Sequence, residues 1–143
     1  VSTVVLRLGG IYGPGRRNLI DRVLRGEAGC PAGPPVFTNR IHLADIVAAI
    51  RHLLDLPQPA SVYLGVDDEP ADTATVVRWL AAQTGAPTPQ TTPAAPVRSN
   101  KRCRNARLVA SGLRFRYPTF REGYTQVLAE LGLLKTGSGA AAP

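Results

Sequence analysis

Apolar and polar positions along this chain switch repeatedly between two periods. Val4, Val5, Leu6 and Leu8 form a nearly continuous apolar run, the pattern of a strand covered on both faces of a parallel sheet. Residues 18–26 then change period, with Leu19, Ile20, Val23 and Leu24 on one face and Arg22 and Arg25 on the other, which predicts a short helix. The loop GCPAGPP breaks both periods, and residues 36–41 alternate like a short strand. From Leu43, the residues Leu43, Ile46, Val47, Ile50, Leu53 and Leu54 recur at three-and-four spacing up to Pro57, one apolar helical stripe. Burying each of its larger members contributes roughly 1.5–3 kcal/mol, so this helix is expected to pack against something.

Residues 61–66, SVYLGV, predict a second strand, and the acidic turn DDEPAD supplies caps for a following helix. That helix turns Val76, Val77, Leu80 and Ala81 inward and ends near Gly85. Residues 86–96, rich in Pro and Thr, are expected to lack regular structure. Asn105 is placed to cap a short helix through Ser111, with Gly112 ending it. FRYP puts Phe115 and Tyr117 at strand spacing, and Thr119 with Glu122 has capping-box spacing ahead of Phe120, Tyr124, Val127, Leu128 and Leu131. Residues 135–143 read as a flexible tail.

This alternation is that of an α/β fold with a parallel sheet. Two strands of parallel type and one shorter strand leave faces and edges to be covered. The chain also holds no methionine and starts within a strand pattern. The expectation is that residues 1–134 are part of a larger domain whose other strands lie elsewhere.

Composition narrows the class. At 143 residues, 44% hydrophobic and 19% charged, the chain has the size of one domain with a sizeable core. No apolar run reaches the roughly 18 residues of a membrane span and no signal-peptide pattern opens it, so a soluble, cytoplasmic protein without membrane association is expected. Cys30 and Cys103 are far apart and lack partners at ligand spacing, which excludes a disulfide framework and predicts no metal site. The net charge of +7 sits in one segment, because residues 1–97 balance and residues 98–121 carry Arg98, Lys101, Arg102, Arg104, Arg107, Arg114, Arg116 and Arg121 without an acid. Such a block can track phosphates, with Phe115, Tyr117 and Phe120 as stacking faces. A solvated face or a small-anion site is the more ordinary use of a basic segment.

Four stretches in order, LRLGGIYGPGR, NRIHLADIVAAI, SVYLGVDDEP and SNKRCRNARLVASGLRFRYPTFREGY, resemble the second half of an extended, atypical short-chain dehydrogenase/reductase of the NAD-dependent epimerase/dehydratase family. The resemblance covers residues 3 to about 133. It implies the C-terminal part of a Rossmann-type doubly wound parallel sheet plus a small substrate-binding lobe. It further implies an upstream Rossmann half bearing a glycine fingerprint and a YxxxK catalytic pair, neither of which occurs in this chain. Tyr12 is followed four residues on by Arg16, not lysine, and an unassisted tyrosine near pKa 10 is a poor base. No catalytic residue is therefore expected here.

By the same resemblance, Leu8, Gly9 and Gly10 lie beside the nicotinamide of NAD or NADP in the complete protein, where absent side chains let a flat ring approach. Gly10 stands where many epimerases have a substrate-holding Asn. Arg40 matches an arginine that lies near a substrate diphosphate, although it stands two residues before His42 rather than four, where Thr38 is found. Strand alternation puts Arg40, Thr38 and His42 on one side, and guanidinium suits phosphate. Lys101 and Arg102 match a second basic contribution to the pocket, and Arg16 and Arg17, after the YGPG turn, face the same choice between holding the substrate anion and forming a solvated face, with Arg16 taken as a substrate-binding candidate. His42 and Asp45 read as helix-start residues, and Cys103 lies between Arg102 and Arg104, which would favour its thiolate if exposed.

The implied function is the substrate-side half of an NAD(P)-dependent epimerase, dehydratase or reductase acting on a nucleotide-sugar-like or other small carbonyl or hydroxyl substrate, inactive by itself. Its partners would be that substrate, the missing N-terminal Rossmann half and further copies in a homo-oligomer. The alternatives are a noncatalytic anion or nucleic-acid module using residues 98–121, or a dinucleotide-sensing relative without turnover.

Overall fold

The computed structural model describes residues 3–94 and 100–136. In chain order the elements are strands β1 (Val5–Leu8) and β2 (Gly10–Tyr12), helix α1 (Asn18–Leu24), strands β3 (Cys30–Pro31), β4 (Phe37–Thr38) and β5 (Arg40–His42), and helix α2 (Leu43–Asp55). Strands β6 (Val62–Gly65) and β7 (Ala71–Asp72), helix α3 (Thr73–Thr84), strand β8 (Thr91–Thr92), and helices α4 (Ala106–Ala110) and α5 (Phe120–Glu130) follow.

Gly9 divides one extended segment into β1 and β2. A Cβ there would stand 2.9 Å from the Asn39 carbonyl oxygen and 3.0 Å from Val66 Cγ1, so only glycine lets the segment pass between its neighbours. The Gly9 N–H still donates to the Gly65 carbonyl at 3.0 Å, and the Gly10 N–H to that of Asn39 at 2.8 Å. The ladder thus passes from β6, paired in parallel with β1, to β5, paired in parallel with β2. Parallel pairs joined through helices make this a mixed α/β fold, as the alternating pattern predicts.

Two regions expected to lack strands contain a short one each. Cys30–Pro31 within GCPAGPP and Thr91–Thr92 within residues 86–96 pair in parallel, because the Cys30 and Ala32 N–H groups need acceptors and find Gln90 and Thr92 carbonyls. The strand expected over residues 36–41 is two strands broken at Asn39. Its side chain leaves the ladder to donate to the Lys101 carbonyl and accept from the Cys103 N–H, both at 2.8 Å. The first piece then pairs antiparallel with β7.

Two packed clusters hold the fold. In the first, Ile20 and Val23 of α1, Val76, Val77 and Leu80 of α3, and Phe120, Val127 and Leu128 of α5 meet. Asp72 caps α3 by accepting from the Thr75 N–H, and Gly85 ends it at φ 69°, as the sequence predicts. The second cluster joins Ala49 and Leu53 of α2 to Tyr63, Leu108 and Leu113.

Two apolar surfaces for which the pattern requires cover are left open within the described residues. Val5 and Leu8 of β1 remain 42% and 39% exposed, because among the described residues β1 pairs only with β6. In α2 the buried face is Asp45, Ile46, Ala49 and Leu53, so the apolar stripe is split and Leu43, Val47, Ile50 and Leu54 lie exposed.

The FRYP segment is not a strand. It belongs to an irregular stretch between α4 and α5, clamped where the Asp45 carboxylate accepts the N–H groups of Arg116 at 2.7 Å and Tyr117 at 3.0 Å. Asn105 does not cap α4 with its side chain, since its amide donates to the Val66 carbonyl and to Asp68. The capping box of Thr119 and Glu122 forms as expected. Leu131, the expected last apolar residue of that helix, is its C-cap and lies at the surface.

Asp45→Ala should strand two backbone donors at once and cost roughly 2–4 kcal/mol in urea unfolding, whereas Leu54→Ala, at an exposed position, should stay within about 0.5 kcal/mol. Equal effects of the two substitutions would show that the carboxylate clamp does not carry the segment.

Candidate anion-binding pocket

A cavity of about 400 Å³ opens where β2, α1, β5 and α5 converge, with Gly10, Tyr12, Arg16, Arg22, Arg40 and Tyr124 among its walls. No Asp or Glu lines it among the described residues. Three guanidiniums around a recess with partly apolar walls give a positive local potential, and their planar donor sets suit phosphate or carboxylate oxygens.

Arg40 is the least solvated of the three, 7% exposed within β5. One guanidinium nitrogen donates to Thr38 Oγ1 and the group lies 5.6 Å from the centre of the Phe120 ring. The Thr38 contact fits the expected common side, although the strand is broken between them. Arg40 Nη1 has no protein hydrogen-bond partner among the described residues, and neither has Tyr12 Oη. Buried polar atoms in that state are uncommon and mark places where a ligand or solvent group completes the bonding.

The aromatic wall is built from β2 and α5. A Cβ on Gly123 would fall 1.9 Å from Tyr12 Oη, so glycine lets α5 seat against the tyrosine. Tyr12 then stacks on Tyr124 at 4.4 Å and meets His42 edge-on at 5.3 Å. Burial, reinforced by the nearby Asp67 carboxyl, pushes the Tyr12 phenol well above its usual pKa, and burial raises Tyr124 as well. Both are neutral hydroxyls at physiological pH, so Tyr12 is no base. His42 is occupied on both nitrogens: Nδ1 accepts from the Ala44 N–H at 3.1 Å to cap α2, and Nε2 lies 2.9 Å from Gln126 Oε1. Burial lowers its pKa. This is the expected helix-start role, with a second contact to α5.

Asp67, just beyond β6, is the group that pattern reading missed. Its N–H donates to the Arg40 carbonyl at 2.7 Å. The side chain is 2% exposed, one oxygen accepts from the Glu69 N–H at 3.2 Å, and Oδ2 has no protein partner among the described residues. Burial pushes the carboxyl up to about 7, opposed in part by Arg40. Its only sequence signal was membership of DDEPAD, which reads as capping residues.

Of the residues expected to bind substrate or cofactor, the cavity unites Gly10, Arg16 and Arg40. Leu8 and Gly9 do not line it. Leu8 closes the exposed face of β1, and Gly9 owes its identity to Asn39 and Val66. Lys101 and Arg102 lie apart: Lys101 lends its carbonyl to Asn39, and Arg102 covers the Phe37 ring at 4.8 Å. Arg102 also lines a second cavity of about 640 Å³ with Asp67, Asp68, Cys103 and Arg104, whose charges are mixed.

No family model matches the chain. Over 100 residues it is 36% identical to 3-diazoavenalumate denitrifying reductase of Streptomyces, an overlap of 66% of this chain and 33% of that protein. A Methylobacillus flagellatus structure assigned as an NAD-dependent epimerase/dehydratase is 32% identical, covering 90% of this chain and 47% of its own, at a TM-score of 0.69. A conserved Silicibacter pomeroyi protein of unknown function is also 32% identical, covering 88% and 48% at 0.78. More remote structures solved with NAD or NADPH, between 16% and 22% identical, share the fold. The chain spans about half the length of these solved structures and a third of the reductase. The fold is thus Rossmann-type α/β. Within it, the chain is similar along about half the length of a structure assigned to the NAD-dependent epimerase/dehydratases.

Asp67 also makes stability depend on pH. The folded chain holds its proton up to about pH 7, whereas the ordinary value is 3.8, so between these limits the folded state binds more protons than the unfolded. Its contribution should be complete below about pH 4 and lost as pH rises through about 7. Asp67→Asn retains an acceptor for Glu69 and should remove this decline, melting at higher denaturant than the parent at about pH 8 by roughly 1–4 kcal/mol. Parallel stability curves for the two proteins from about pH 4 to 8 would contradict this.

Proposed function

We propose that this chain is the substrate-side half of an NAD(P)-dependent epimerase, dehydratase or reductase, and that its arginine-lined cavity holds the anionic end of the substrate. A phosphate-bearing, nucleotide-sugar-like molecule has the right chemistry. The observation that carries this reading is the convergence of Gly10, Arg16 and Arg40 on one recess free of carboxylates. The kinship with nicotinamide-binding structures supports the class of chemistry.

The end of β1 fits part of a nicotinamide floor. Leu8 offers an exposed apolar side chain, and a Cβ at Gly10 would meet only the Asn39 oxygen, at 3.4 Å. Gly9 gives no independent support, since protein atoms already occupy its side-chain space. Bound NAD or NADP would supply the hydride chemistry. This chain's own residues orient the substrate anion and keep Tyr12 protonated, and an upstream Rossmann half would bring the catalytic tyrosine and lysine. We assign that half to the uncovered faces of β1 and α2 in a cytoplasmic, oligomeric enzyme.

The nucleic-acid alternative is weakened by how the basic segment is used. Phe120 is fully buried, Phe115 packs on the second cluster and Tyr117 stacks on His42 at 4.1 Å, so the three aromatic faces are not free to receive bases. Arg107 is bound to the Val62 carbonyl and Arg121 to Glu69. Arg98 lies outside the described residues.

UDP should bind this chain and uridine at least roughly tenfold more weakly, as charge-assisted contacts require, and Arg40→Gln should cost UDP a similar factor in a chemical-shift titration. Equal affinity for UDP and uridine, or indifference to Arg40→Gln, would reject the anion pocket. The chain alone should oxidise no NAD(P)H. Tight, steeply salt-dependent oligonucleotide binding would favour the alternative.

A further inference from the structure

Arg40 and Asp67 carry opposite charge types and are both buried, yet their side chains form no ion pair. Their main chains are bonded at 2.7 Å, and each side chain retains one polar atom without a protein partner. Arg40 lines the cavity of about 400 Å³ and Asp67 that of about 640 Å³, so the two main-chain-bonded residues each border a different recess. A buried guanidinium in this position has two ways to be neutralised, by the Asp67 carboxylate on one side or by a ligand anion on the other.

We propose that Asp67 is the proton-linked partner of the Arg40 site: an anion entering the cavity is taken up together with a proton on Asp67. This rests on the reading of the cavity as an anion pocket. When the ligand's charge compensates Arg40, the Asp67 carboxylate loses its neutralising neighbour and faces a second negative charge through a medium of low polarity. Its proton is then held more firmly. By reciprocity the protonated form binds the anion more tightly by the same factor. The step is a simple proton equilibrium: solvent supplies the proton to Oδ2, and no bond of the ligand changes.

The surrounding groups favour a carboxyl that titrates near neutrality. Arg40 from β5 is the charge that lowers its pKa, and Asp68 and Glu69 on its own segment raise it. Glu69 is itself tied to Arg121 at 2.7 Å. Tyr12 from β2 and Tyr124 from α5 are raised chiefly by burial, with smaller contributions from Asp67 upward and Arg40 downward, so both are neutral and feel the same couple. His42 and Asp45 complete the charged and titratable groups around Tyr12. Arg16 and Arg22 stand at the anion cavity, and Arg102 and Arg104 at the other.

Sulfate is the probe, because its charge is constant across the pH range in question. The chain, titrated with sodium sulfate at fixed ionic strength and followed by amide chemical shifts, should bind roughly five- to thirtyfold more tightly at about pH 6 than at about pH 8.5. Asp67→Asn, the permanent neutral form, should bind at both pH values as tightly as the parent does at the lower one. Saturating sulfate should also raise the midpoint of the Asp67 carboxyl-carbon titration. A parent without pH dependence, or one whose dependence persists in Asp67→Asn through its histidines, would overturn the proton link while leaving the Arg40 pocket standing. Sulfate binding indifferent to Arg40→Gln at both pH values would overturn the pocket and the link together.

Discussion

The Asp45 carboxylate is the constraint from which the site is built. It lies in the first turn of α2 and is almost fully buried. A charge so placed must be answered by donors, and it takes them from two consecutive backbone N–H groups of the irregular segment that precedes α5. One residue beyond Pro118, Thr119 opens the capping box, which sets the direction of α5. Gly123 then arrives one turn later against Tyr12. A side chain from α2 thereby places a helix about 75 residues later in sequence, and with it Tyr124, which lines the cavity against Tyr12 of β2, and Gln126, which meets His42. The same carboxylate joins the two apolar clusters, since α2 packs in one and α5 in the other.

Within that frame Arg40 is costly, and its environment explains why it is tolerated. Thr38 accepts one hydrogen bond and the Phe120 face gives favourable quadrupole contact. Neither neutralises a full charge. A close carboxylate would, but a tight ion pair would also use the donors that a ligand anion needs. Asp67 supplies the intermediate arrangement: it is near enough for its electrostatics to be felt at Tyr12 and Tyr124, yet it leaves Nη1 without a partner. Within the described residues the compensation of Arg40 is therefore incomplete.

Local chemistry was legible in the sequence wherever a single turn of chain decides the outcome. Asp72, Gly85, His42 and the Thr119–Glu122 pair act within four residues of themselves, and capping rules see that distance. The inward face of α3 was equally plain, because it is covered within the described chain. The exposed stripe of α2 shows the limit: periodicity identifies an apolar face and cannot say whether the cover belongs to the same set of residues. FRYP was misread because the competing term was long-range, a carboxylate at Asp45 capturing N–H groups that a strand would have offered to a neighbour. Asn39 similarly interrupts an alternating run to bond residues more than sixty positions away. For the candidate site, family resemblance indicated Arg40 and the basic pair after the YGPG turn indicated Arg16, whereas Asp67 became visible only once burial removed it from water.

The position of Gly9 connects the open face of the fold to the site. Leu8 before it belongs to the exposed side of β1, and Gly10 after it lines the arginine-bearing cavity. The two are separated by a residue whose freedom is already used in passing Asn39 and Val66, so β1 cannot shift in register without carrying the cavity wall with it. A segment covering Val5 and Leu8 would remove apolar surface from water, worth roughly 25 cal/mol per Å², and would lie beside Gly10 and the cavity wall it forms.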